Sequence, residues 1–184
     1  MTKRRVRIVL VCEDNQHESF VRRFLEKMGW EKREIIPIKA PSAGGSAEQY
    51  VRVMTPIELN KYRTRHAATV LISVMDADNK SVEARIGEIE KECENQEVEP
   101  RGDEEAVAFI IPKRNIETWI KHLNGGQVNE EEVYTDNKGE KDLCKNAADK
   151  LAESCKTNEE APPGKLPSLE AACREYKKRI KPMA

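Results

Sequence analysis

Asp76 and Asp78 close the run Val70-Leu71-Ile72-Ser73-Val74-Met75-Asp76-Ala77-Asp78. Two carboxylates held together repel each other unless a cation or a shared proton relieves them. A hard divalent cation such as Mg²⁺ is the simplest relief. It takes oxygen ligands and is often held by one or two protein carboxylates. Glu13 ends a second apolar run, Arg5 to Cys12, and is followed by Asp14 and Glu18. A third run, Ala106 to Pro112, leads through Lys113, Arg114 and Asn115 to Glu117. One acid after a strand is common, because Asp and Glu suit helix N-termini. Three such runs in one small chain suggest a shared acidic site.

The elements that must position these acids follow from the patterning. The Asp76 run is short, bounded and rich in Val and Ile, which predicts a buried strand of a parallel sheet. On a continuing strand, Asp76 and Asp78 would point to the same side. In an open α/β sheet, ligands bind beyond the carboxyl ends of the strands. Between the first strand and Gly29, Phe20, Phe24 and Met28 fall at fourfold spacing, predicting an amphipathic helix over 19–28. Residues 34–38 predict a strand that Pro37 confines to an edge. A helix is expected over 47–62, kinked or split by Pro56. Ser81 is expected to cap a helix from Val82 to about Cys93. A further helix is expected from Asn115, one over 142–154, and a last one over 168–180 capped by Ser168. The alternating order predicts an α/β, three-layer sandwich on a mostly parallel, Rossmann-like sheet. Apolar residues thin out after Asn124. The expected organisation is a core over 1–124 with a helical appendage, 125–184, packed on it.

The chain has 184 residues, 35% of them charged, and a formal net charge of −1. It is long enough for one domain with a proper core. The balanced charge gives no global basic signal for nucleic acid, although Lys61, Arg63, Arg65 and His66 cluster before the Asp76 strand. No apolar stretch approaches a membrane span, and no signal peptide is evident. Five cysteines without two-residue spacing predict free thiols and a cytoplasmic home. Gly44-Gly45-Ser46 lacks the lysine of a P-loop, so no ATPase motor is expected in this chain. His17, beside Glu18, could ligate metal or shuttle a proton, although lone histidines usually do neither. Trp119, spaced helically with Ile116, Ile120 and Leu123, belongs to the core.

Glu13 after the first strand, and Asp76-Ala77-Asp78 after a later one, resemble the Toprim fold. That fold is shared by topoisomerases, bacterial primases, recombination mediators and overcoming-lysogenization-defect (OLD) nucleases. The resemblance covers roughly the first two-thirds of the chain. The nuclease branch fits best, with Glu18 and Glu117 as the additional acids. It implies Mg²⁺ or Mn²⁺ and phosphodiester chemistry, with a role in defence against foreign DNA. The glycine that often follows the first acid in Toprim proteins is Asp14 here. Phosphoryl transfer builds charge that two cations about 3.5–4 Å apart can stabilise. Glu13, Asp76 and Asp78 are the candidate ligands of one metal. Glu18 and Glu117 are candidates for holding a second or orienting water. Glu13, Asp76, Asp78 and Glu117 are the candidate catalytic residues. Lys61, Arg63, Arg65, Lys113 and Arg114 are the candidate contacts to nucleic acid. Plainer roles stand beside these: Asp14 as a helix cap, and Glu18 and Glu117 in surface ion pairs. The alternative function is a catalytically degenerate Toprim-like module that binds nucleic acid, a nucleotide or a separate ATPase subunit without cutting.

Overall fold

A computed structural model describes residues 5–135, 141–157 and 166–184. Most of the stretch between the helices expected over 142–154 and 168–180 lies outside the described residues. Four strands, β1 (Arg7–Cys12), β2 (Ile35–Lys39), β3 (Thr69–Val74) and β4 (Val107–Ile110), form an all-parallel sheet in the order β2-β1-β3-β4. β1 and β3 lie at the centre, covered on both faces, which is why they read as unbroken apolar runs. Alternate side chains fill two apolar layers. Ile8, Leu10, Cys12, Val70, Ile72 and Val74 point to one, and Val9, Val11 and Leu71 to the other. Pro37 sits in β2 at the sheet edge, as its missing N–H requires.

Six α-helices complete the sandwich among the described residues: α1 (Asn15–Lys27), α2 (Ala47–Thr64), α3 (Val82–Asn95), α4 (Ile116–Leu123), α5 (Lys141–Lys156) and α6 (Pro167–Glu175). α1, α4, α5 and α6 contribute to the layer containing Phe20, Trp119, Leu151 and Leu169. α2 and α3 cover the other face through Val51, Leu59, Ile89 and Cys93. Trp119 is fully buried and donates its indole N–H to Ser168 at 2.8 Å. The helices after residue 125 thus share one core with the sheet.

Four local expectations need correction. α1 begins at Asn15, four residues early, because Asp14 accepts from the backbone N–H groups of Gln16 and His17. α2 runs through Pro56 as one element, so of the two expected outcomes, a kink or a split, the split does not occur. Its flank is tied to the sheet there, where the Thr55 hydroxyl bonds Val51 O and Ser73 Oγ. Ser168 lies inside α6 rather than capping it, since its hydroxyl bridges Trp119 and Glu130. The chain continues past Glu175 as a π-helical turn over Tyr176–Ile180. Finally, Cys155 and Cys173 form a disulfide joining α5 to α6, where all five thiols were expected to be free. Packing of the two helices brings their Cα atoms to 6.3 Å, within bridging range.

The outer edge of β4 is closed by side chains. Glu175 accepts from Phe109 N–H at 3.0 Å, and Arg101 donates to Val107 O at 2.9 Å. The two pair with each other at 2.5 Å, and the Arg101 guanidinium stacks 3.8 Å over the Phe109 ring. One ion pair therefore satisfies the backbone groups that a fifth strand would otherwise recruit.

Candidate metal centre

The site lies where the chain leaves the sheet in opposite directions. After β1 it turns into α1 on one face; after β3 it reaches α3 on the other. β1 and β3 are neighbours, with Cys12 level with Val74. Their ends therefore open a crevice at the topological switch point, the usual ligand position in such sheets. Glu13 and Asp76 occupy its two sides. Asp76 N–H donates to Glu13 Oε1 at 2.6 Å and ties the two strand ends together.

His17 enters from the first turn of α1. Its side chain is 3% exposed, and both ring nitrogens meet carboxylates: Nδ1 lies 2.9 Å from Asp14 Oδ1 and Nε2 lies 3.0 Å from Asp76 Oδ1. Asp14 orients this ring while capping the helix that carries it. Its backbone is extended (φ −151°, ψ −173°), so the position does not need glycine. One ligand atom from each of Glu13, His17 and Asp76 can lie within 4.8 Å of the others. Two carboxylates and an imidazole suit a divalent cation.

The electrostatics follow from burial and close contact. Burial pushes Glu13 up to about 7; Asp76 pushes the same way, and His17 pulls against both. Burial likewise raises Asp76, with partial relief from His17. For His17, burial favours the neutral ring, but hydrogen bonds to Asp14 and Asp76 outweigh it and raise its pKa well above the ordinary value. With both ring nitrogens against carboxylates, the geometry accommodates a doubly protonated ring. Burial raises Asp14, but its bonds to His17 win and bring it down to about 2. A protonated ring would partly neutralise the acids, a role that a bound cation takes over as the Nε2 proton leaves. Cys12, under the site, is pushed by burial up to about 12, as suits a buried structural thiol.

Asp78 is held differently from Asp76. β3 ends at Val74, and Asp78 has a positive φ of 54°, so strand alternation no longer applies. Its carboxylate is 63% exposed and binds Arg85 Nη2 at 3.0 Å. Arg85 is itself buried on α3 and also pairs with Glu48 and Glu88. The backbone of this loop is stapled to the turn after β4. Ala77 N–H donates to Pro112 O at 2.8 Å and Asp78 N–H to Arg114 O at 3.1 Å. Lys113 and Arg114 are thereby brought to the Asp78 side of the crevice. Glu117 lies in the first turn of α4, half-buried.

Glu18 pairs with Arg22 and Lys39, at 2.8 and 2.7 Å. Lys61 and Arg65 both bind the buried Glu58 carboxylate, and Arg63 forms a two-pronged pair with Glu105. These three cations lie at the end of α2 that leads into the start of β3, the sheet edge opposite Asp76. His17 and Arg85 are the residues whose importance sequence reading understated. The signals were present: Asp14-x-x-His17 places cap and ring three apart on a helix start, and Arg85 falls in the first turns after the Asp76–Asp78 loop.

No protein-family model, curated protein or solved structure matches the chain. No helix among the described residues is long and apolar enough to cross a membrane.

Proposed function

We propose that the protein is a metal-dependent phosphodiester-processing enzyme acting on nucleic acid, a nuclease of Toprim type. The observation carrying this reading is the convergence of Glu13, His17 and Asp76 at the switch point between β1 and β3. These three residues would hold a divalent ion, Mg²⁺ or Mn²⁺. Such an ion, when bound, supplies Lewis-acid polarisation of a phosphoryl oxygen and lowers the pKa of water. Asp14 fixes the His17 ring, Arg85 fixes the Asp78 side of the loop, and the turn at Lys113 and Arg114 brings positive charge to the rim. Toprim relationship, defence against foreign DNA and a cytoplasmic location belong to the same proposal.

A specific observation favours the second reading, a non-cutting module that binds nucleic acid, a nucleotide or a partner ATPase. Asp78 is engaged by Arg85, and Glu18 by Arg22 and Lys39, so the compact donor set suits one ion rather than two. Incubation of the wild type and Asp76→Asn with labelled single- and double-stranded DNA and RNA, with EDTA, Mg²⁺ or Mn²⁺, separates the two. The enzyme reading expects metal-dependent cleavage that Asp76→Asn abolishes. Metal binding without cleavage of any of these substrates would overturn it in favour of the second.

A further inference from the structure

We infer that His17 is a direct ligand that sets the metal preference of this centre, making it a site for Mn²⁺ over Mg²⁺. The inference rests on the metal-dependent reading above and deepens it. Three features of His17 carry it. The side chain is buried and enters the ligand group through its Nε2 edge, which lies 3.0 Å from Asp76 Oδ1. The opposite edge, Nδ1, is fixed 2.9 Å from Asp14 Oδ1. Asp14 in turn is immobilised by accepting from Gln16 N–H and His17 N–H, at 2.9 and 3.0 Å. A carboxylate holding one ring nitrogen, so that the other can face a cation once it has released its proton to solvent, is the recurrent arrangement behind histidine ligands.

The chemical consequence is selectivity. Mg²⁺ binds through oxygen donors, keeps several waters and demands near-ideal octahedral geometry. Imidazole suits Zn, Cu, Fe and Ni best; Mn²⁺, at the weak end of that series and at home among oxygen donors, still accepts a nitrogen ligand more readily than the harder Mg²⁺. A site of oxygen donors alone would leave Mg²⁺, usually the more abundant ion, free to compete. Nε2 at the third position shifts the balance toward Mn²⁺. A buried histidine that merely satisfies Asp14 and Asp76 would exert no such bias, and that difference is measurable.

The test uses the full chain with MnCl₂ and MgCl₂ as probes, each titrated by calorimetry, and pulsed EPR of the Mn²⁺-loaded protein. The variants are His17→Gln, which offers an oxygen near the Nε2 position, and Asp14→Asn, which keeps a capping side chain while removing the charge behind the ring. The wild type should prefer Mn²⁺ and show ¹⁴N coupling from a directly bound imidazole. In His17→Gln the coupling should vanish and the Mn²⁺/Mg²⁺ affinity ratio should fall about tenfold or more. Asp14→Asn should keep the coupling and lose about tenfold in Mn²⁺ affinity. If His17→Gln does not fold, the wild-type ¹⁴N coupling and Asp14→Asn decide. A wild type that binds Mn²⁺ with no ¹⁴N coupling, or a ratio unchanged in His17→Gln, would overturn this inference and leave the metal centre standing. A wild type that binds neither ion would overturn the metal-dependent reading itself.

Discussion

Glu13→Gln gives the sharpest test of the acidic crevice, because it removes a charge and keeps an oxygen to accept from Asp76 N–H. Without a cation, the folded protein holds Glu13 at about 7 against an ordinary glutamate value of 4.5, chiefly through burial. A carboxylate raised in the folded state gives stability that is complete below pH 4.5 and lost as pH rises through 7. At about 1.4 kcal/mol per pH unit, ionising Glu13 costs the fold at most about 3.5 kcal/mol. Asp76 and His17 are also raised, so their contributions likewise fall with rising pH. The wild type in EDTA should therefore lose stability from pH 5 to pH 8. Glu13→Gln should match it near pH 5 and exceed it near pH 8 by roughly 2–3 kcal/mol. For a chain of this size that is about 4–12 °C in Tm. Thermal melts of both proteins in EDTA, at half-unit pH steps, supply the difference curve. Mn²⁺ should restore the wild type above pH 7 and do little for the variant. A Glu13→Gln variant less stable than wild type at pH 8 in EDTA would refute the reasoning, since it would mean that the charge stabilises the fold.

Three further outcomes follow from side chains beside the crevice and at the sheet edge. Arg85→Met leaves Glu48, Glu88 and Asp78 without their shared buried cation; chemical denaturation should show a loss of about 3 kcal/mol, and a change below about 0.5 kcal/mol would mean the cluster is dispensable. Asp14→Ala removes both the α1 cap and the ring support, so denaturation should show a loss of at least about 1 kcal/mol from the cap alone; stability equal to wild type would show that neither contact matters. Glu175→Ala strips the acceptor from Phe109 N–H and opens β4. A loss of about 1–3 kcal/mol with concentration-dependent light scattering is expected. Glu175→Gln, which keeps an acceptor, should scatter less, and equal scattering by the two would refute the edge-closing role.

The sheet was legible because burial on both faces writes itself as continuous apolar runs, as in Ile8–Cys12 and Val70–Val74. The placement of acids at strand ends was legible for the same reason: the run stops where the strand does. What sequence could not supply was the direction of each side chain after the stop. Asp76 and Asp78 are two residues apart, yet one turns to His17 and the other to Arg85. That divergence depends on a left-handed residue at Asp78 and on the Pro112–Asn115 turn stapled to it across the sheet. Neither partner is local in sequence. The acids that pair with the basic cluster at Lys61–Arg65 were legible only in part: Glu58 lies three residues before Lys61 on one helix, whereas Glu105 meets Arg63 only after the chain has folded.

Asp14 shows what geometry adds to a residue type read from sequence. Here the backbone at Asp14 is extended, a conformation any residue adopts, so glycine would bring no conformational advantage. The carboxylate instead does two jobs at once, closing the start of α1 and holding His17 against Asp76. A glycine at this position would free both the helix end and the ring. Asp14 and His17 are therefore coupled within the fold. The two residues form one device, in which a helix cap delivers an imidazole to a pair of acids that would otherwise face each other alone.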